Sequence, residues 1–197
     1  MLPGRHDEAG SALGKEEVAD AARVGREAAD DADPACSRAV MRERVLRREQ
    51  ILDVPIEDAF EFFSRAENLE AITPPLLRFR IATPTPIEMR VGALIRYRLR
   101  LRGVPVSWLT RIEEWDPPNG FVDRQLRGPY GLWHHTHCFE PLDGDRTSMV
   151  DLVRYGQRLG PLGTLVEHLL VRRDIDRIFD FRRDTIPDLI ARPVPAR

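Results

Sequence analysis

The chain has 197 residues and a formal net charge of −2 at pH 7, with 42% apolar residues against 31% charged ones. That is the make-up of a globular domain, and so near-neutral a balance leaves no electrostatic footprint for nucleic acid or an anionic membrane. Two cysteines, Cys36 and Cys138, exclude a disulfide scaffold or a cysteine-based metal motif and suit a reducing compartment.

Residues 1–40 are rich in Ala, Gly, Asp and Glu and hold nine acids against five bases. Such a segment buries too little apolar surface to offset ordering entropy, so it reads as a disordered tail. The folded domain is expected over 41–190, with residues 191–197 as a second loose end. Nothing in the chain resembles a signal peptide, and no apolar run nears the roughly 18 residues of a membrane span, which predicts a cytoplasmic protein.

From Met41 the pattern changes. Residues 42–52 read as a strand. Ile56–Phe63 reads as a short helix, with Pro55 near its start, acids in its first turn, and Phe60 and Phe63 on one face. A second helical turn is expected over Asn68–Ile72, ended by Thr73-Pro74-Pro75.

Strands follow. Leu76–Thr83 alternates, with Leu77, Phe79 and Ile81 opposite Arg78 and Arg80. Over 94–102 the alternation is clearest: Ile95, Tyr97, Leu99 and Leu101 face one way, and Arg96, Arg98, Arg100 and Arg102 the other. A row of arginines on one face reads as solvated surface. Gly103-Val104-Pro105 turns the chain into a strand through Trp115, and Asp116–Gly120 makes another turn. Residues 121–127, 130–141 and 147–157 complete an antiparallel meander. Pro161 then opens a helix expected to run to Ile186, about 39 Å, before Pro187 stops it. Its apolar stripe includes Leu162, Leu165, Val166, Leu169, Ile175, Ile178, Phe179 and Ile186.

The order strand, two short helices, six strands, long helix resembles the helix-grip fold of the START-like, or SRPBCC, superfamily, which includes polyketide cyclase/dehydrase-like and coenzyme Q-binding proteins. The resemblance covers about residues 42–190. It rests on Pro55 with Phe60 and Phe63, Asn68-Leu69 with Thr73-Pro74, Gly128-Pro129-Tyr130, the pattern Trp133-x-His135-x-His137-x-Phe139, and Asp151 with Tyr155. It implies an α+β fold: a curved antiparallel sheet of about seven strands wrapped around a long C-terminal helix, with two short helices after the first strand. It also implies a cavity for a small hydrophobic molecule such as a lipid, quinone or polyketide-like compound, with no cofactor. The superfamily shares no catalytic motif. Within the superfamily these residues look like a bacterial subgroup whose relatives are sometimes joined to, or neighbours of, short-chain epimerase-like proteins, so the resemblance makes such a protein a candidate partner.

Trp133, His135, His137 and Phe139 share one face of one strand. If the aromatics point inward, two imidazoles follow them, and each needs a hydrogen-bond partner. Three readings stay open. The histidines can be tied to a neighbouring strand's Asp151, Asp123 or Gln125. They can orient a mostly apolar ligand. They can also chelate a metal, with His168, Glu114 or Asp151 as third ligand, although the expected assignment is no metal. In an enzyme of the cyclase/dehydrase type, His135, His137 and Asp151 would be the acid–base groups. Asp151 and Tyr155 share a face, and Tyr97, Leu99, Trp108 and Phe121 supply further apolar wall, Tyr97 with a polar tip. The expected ligand-binding set is therefore Tyr97, Leu99, Trp108, Phe121, Trp133, His135, His137, Phe139, Asp151 and Tyr155. A one-residue slip in the hairpin after residue 127 would reverse whether Asp123 and Gln125 face His135.

Overall fold

The computed structural model describes residues 43–156 and 171–191. The chain divides into two compact units, Met1–Arg38 and Ala39–Arg197, and every described residue belongs to the second. The expectations for residues 1–40, for 191–197 beyond Ala191 and for the helix over 161–170 lie outside the described residues.

The elements are β1 (Arg44–Leu52), α1 (Ile56–Ser64), α2 (Asn68–Ala71), a 3-10 turn (Pro75–Leu77), β2 (Arg80–Ile81), β3 (Leu94–Leu101), β4 (Val104–Asp116), β5 (Gly120–Arg127), β6 (Leu132–Leu142), β7 (Arg146–Gly156) and α3 (Arg172–Ile190). The seven strands form one sheet in the order β1-β7-β6-β5-β4-β3-β2, and every neighbouring pair is antiparallel. The strands from β2 to β7 are a plain meander, as short turns between alternating runs require. β1 then pairs with the last strand.

α1 forms because acids occupy its first turn (Glu57 and Asp58) and Ile56, Ala59, Phe60 and Phe62 fall on a buried face. Phe60 sits edge-on to Trp115, Phe121 and Phe139, with ring centroids 5.1, 6.3 and 6.0 Å away. Burying such a ring is worth about 1.5–3 kcal/mol. α3 buries Ile175, Phe179 and Ile186. Ile186 packs with Phe60 and Phe139, while Ile175 and Phe179 pack with Val153 and Tyr155.

Three local readings are corrected. Residues 76–83 are not one strand: the 3-10 turn ends at Arg78 in the left-handed region (φ 46) and only Arg80–Ile81 pair. The prolines at 74 and 75 favour the tight turn over an extended run. β3 ends at Leu101, so Arg102 leaves the arginine row; at φ 51 it reaches α3, where its Nε and Nη2 donate to Asp174 at 3.0 and 3.1 Å. Pro187 lies inside α3, which continues to Ile190. A proline there cannot donate to the Arg183 carbonyl, and Gln50 Nε2 from β1 donates to it instead at 3.0 Å. Apart from these corrections, β4 changes register between Leu109 and Thr110 and again between Ile112 and Glu114. Such bulges change which residues face the core: Ile112 and Trp115, three apart, both pack into it.

Candidate functional site

The site is built on β5, β6 and β7. Their register sets Phe121 opposite His137 and Asp123 opposite His135, and Asp151 opposite His137. Directly paired residues share a face, so two imidazoles and two carboxylates from three strands converge. The hairpin ambiguity is thereby resolved with Asp123 facing His135. Gln125 turns to its own hairpin instead: its Nε2 donates to the Tyr130 carbonyl at 2.7 Å.

His135 Nε2 donates to Asp151 Oδ1 at 2.9 Å, and His137 Nε2 donates to Asp123 Oδ2 at 3.3 Å. His135 Nδ1 lies 3.4 Å from Asp123 Oδ2. His137 Nδ1 lies 2.9 Å from Asp151 Oδ1, but out of line for a hydrogen bond, which leaves that buried nitrogen without a partner among the described residues. The two imidazole centroids are 3.8 Å apart, and His137 stacks on Phe121 at 4.2 Å.

Helix α3 adds a cation. Arg182 faces the same space, with its Cζ 5.1 Å from the Phe179 ring centroid and its buried Nε without a hydrogen-bond partner among the described residues. The sequence reading passed over this residue.

The charge states follow from these contacts. Burial pushes the Asp151 carboxyl up, but the hydrogen bond from His135 and the proximity of both imidazoles outweigh it and hold the group far below the usual carboxylate range. Asp123 is lowered in the same way against burial, chiefly by His137 and then His135. Burial, helped by the charge of His137, holds His135 below the ordinary imidazole value. Burial acts on His137 too, yet Asp123 and Asp151 outweigh it and raise that ring. Burial lowers Arg182, opposed by Asp151 and Asp123. Two carboxylates facing one guanidinium and hydrogen-bonded by two imidazoles have their buried charges met by partners, the condition for keeping charges inside a protein.

These groups border a cavity of about 140 Å³, comparable to an engineered cavity of about 150 Å³ that holds benzene. Tyr97, Leu99, Trp108, Phe121, Trp133, His135 and His137 line it, joined by Asp123, Thr110, Ile178 and Arg182. Three expected residues do not. Phe139 packs between Phe60 and Phe63, Tyr155 packs with Val153, Ile175 and Phe179, and Asp151 stands behind the histidines, touching them without reaching the cavity. Trp108 and Trp133 meet edge to face at 5.2 Å, and the Trp108 Nε1 donates to Thr110 Oγ1 at 3.0 Å.

Asp123, His135 and His137 each present one ligand atom, all within 4.8 Å of one another. Of the third ligands considered from sequence, Glu114 is exposed, His168 lies outside the described residues, and Asp151 touches both rings from the side away from the cavity. The group that faces both histidines from the cavity wall is Asp123.

No family model matches the chain, and no curated protein matches it. Solved structures do. The Zhui aromatase/cyclase from Streptomyces sp. R1128 is 18% identical, with 79% of this chain and 98% of that one covered and a TM-score of 0.63. A Thalictrum flavum norcoclaurine synthase point mutant in complex with a transition-state analogue is 15% identical, with 76% and 95% covered and a TM-score of 0.57. A START superfamily protein from Mycobacterium smegmatis is 12% identical, with 74% and 96% covered and a TM-score of 0.54. At these identities the likeness concerns the fold. With one seven-stranded antiparallel sheet and a long C-terminal helix packed on it, the chain has the START-like helix-grip fold.

Proposed function

We propose that the domain binds a small, largely apolar aromatic molecule that carries a polar or anionic group. The observation that carries this is the composition of the cavity wall. Tyr97, Trp108, Phe121 and Trp133 supply aromatic surface, and Asp123, His135, His137 and Arg182 form a compact polar end. A wall of apolar groups with a few convergent polar ones is how small-molecule sites fix orientation. The START-like fold supports the reading, and so does a helix-grip neighbour named as an aromatase/cyclase. A quinone would place its ring, and a lipid the end of its chain, in a space of about 140 Å³. The epimerase-like partner suggested by the resemblance has no support among these neighbours, and a carrier does not require it. No helix among the described residues is long and apolar enough to cross a membrane.

The test uses the two tryptophans in the wall. Titrating the protein with a single-ring aromatic acid should change Trp108 and Trp133 fluorescence saturably, and Trp133→Phe should remove part of the change. Native mass spectrometry of protein from its own host, followed by extraction, should release a discrete small molecule. No saturable signal with any single-ring or two-ring probe, together with a bare mass, would sink the binding reading.

A second reading is favoured by one observation: His135, His137 and Asp123 all border the cavity, and the rings are tied to carboxylates rather than to backbone. A histidine oriented by a carboxylate is equipped for general acid–base work, worth about 10²–10⁴-fold. A cyclase/dehydrase-type activity would then use His135 or His137, positioned by Asp151. Turnover that His137→Gln lowers by that factor, with ligand affinity unchanged, separates the enzyme from the carrier.

A further inference from the structure

We propose that Asp123, His135 and His137 form a divalent metal site whose open coordination position faces the cavity, with Asp151 orienting both imidazoles from behind. Two independent features of the geometry point to it. The first is the ligand triangle. Asp123 Oδ2 lies 3.4 Å from His135 Nδ1 and 3.3 Å from His137 Nε2. A four-coordinate ion with bonds of about 2.0–2.2 Å holds its ligands about 3.3–3.6 Å apart, so both measured edges already suit such an ion.

The second is the shell behind the triangle. The nitrogen that each ring turns away from Asp123 meets the same oxygen of Asp151: His135 Nε2 at 2.9 Å and His137 Nδ1 at 2.9 Å. A ligating histidine characteristically gives its other N–H to a carboxylate, which fixes the tautomer and ring orientation. One carboxylate serving two ligating rings on alternate residues of one strand is that arrangement in compact form. It also accounts for the buried His137 Nδ1 that has no aligned partner among the described residues. Without an ion, Nε2–H donates to Asp123 and Nδ1 has no aligned partner among the described residues. With an ion on Nε2, Nδ1 carries the proton, and a slight turn of the ring delivers it to Asp151.

The donor set of two imidazoles and one carboxylate suits zinc, iron(II), cobalt(II) or nickel rather than calcium or magnesium, which take oxygen ligands. Three protein ligands plus an open position mark a site for binding or chemistry rather than a closed structural one. The three ligands border the cavity while Asp151 does not, so the fourth position opens toward the bound molecule. Arg182 faces the same space and adds a further positive charge beside the ion, which favours an anionic fourth ligand such as a carboxylate or phenolate. The site stands on these distances alone and does not require the ligand reading above.

The experiment is a calorimetric titration of the full, tag-free chain, stripped with chelator, against Zn²⁺ and then Co²⁺. The expected result is saturable binding of one ion, tighter than millimolar. Asp123→Asn should weaken it at least about 100-fold and Asp151→Asn about 10–100-fold, while Glu114→Gln, on the exposed side of β4, should leave it unchanged. Should the buried variants fail to fold by circular dichroism, the wild-type cobalt spectrum decides. Intense visible bands of a four-coordinate ion, bleached by Zn²⁺, support the site; the weak spectrum of a six-coordinate hydrated ion overturns it. So does the absence of saturable Zn²⁺ binding, or wild-type affinity in a folded Asp123→Asn variant.

Discussion

Asp151 is the most demanding residue in the domain. It is buried and its Oδ1 lies 2.9 Å from a nitrogen of each imidazole. Removing one member of a buried charged set leaves the others uncompensated, which typically costs about 3–5 kcal/mol. Asp151→Ala should therefore destabilise the metal-free domain by about that amount in urea unfolding, and Asp151→Asn by less, because an amide oxygen still accepts from His135. A loss under about 1 kcal/mol for Asp151→Ala would mean that the rings are held by something else. Tyr97 makes a separate prediction about pH. Burial, reinforced by the negative charge of Asp123, pushes its phenol well above the usual tyrosine value. A group whose proton is held more tightly in the folded state contributes stability that is complete below its unfolded value of about 10 and is lost as pH rises beyond it. Wild-type stability should fall relative to Tyr97→Phe above about pH 10, and the phenolate absorbance of Tyr97 should appear only with unfolding. Ionisation of Tyr97 near 10 in the folded protein contradicts its burial.

At the scale of elements, α3 shows how a local rule yields to tertiary structure. Pro187 deprives the Arg183 carbonyl of its helical partner, and Gln50 on β1 replaces it. A hydrogen bond of this kind is worth about 0.5–1.5 kcal/mol. Gln50→Ala should lose about that much stability in the wild type and less in a Pro187→Ala background, where a helical N–H returns; a double-mutant cycle in denaturant measures the coupling, and additive losses would refute the exchange. The proline was legible and its consequence was not, because the compensating donor lies 133 positions away in sequence. The same division runs through the site. The alternation of β3 and β6 is carried by neighbouring residues, so the inward faces of Tyr97 and His135 could be read directly. Asp123 could not, since its facing depends on where the β5–β6 hairpin turns. Arg182 did leave a signal: it continues the spacing of Ile175, Ile178, Phe179 and Ile186, so a charge sat on the apolar stripe. Reading the stripe for apolar residues alone passes over it. Phe139 and Tyr155 share the inward face with the histidines, but which inward residues border empty space is set by α1 and α3 packing above them, and the strand pattern holds no record of that.

The whole molecule holds open space that its stability would favour filling. The apolar wall of a cavity of about 140 Å³ forgoes packing contacts that a filled core would make, which lowers stability. A binding domain must leave that stability unrealised in the absence of ligand. Enlarging a side chain should then have opposite characters in two places. Leu99 lines the cavity, so Leu99→Phe has room to expand and should change stability by less than about 1.5 kcal/mol, as tolerated hydrophobic swaps do. Val153 is fully buried beside Tyr155, Ile175 and Phe179 and lines no part of the cavity. Adding one methylene there, in Val153→Ile, has no space to enter and should cost about 1–3 kcal/mol. The functional consequence runs the other way: Leu99→Phe should abolish the tryptophan response to a single-ring aromatic acid, while Val153→Ile should retain it at a lowered melting temperature. Should Leu99→Phe lose as much stability as Val153→Ile, the wall at Leu99 is packed rather than open, and the cavity cannot be what the domain preserves at the expense of its own stability.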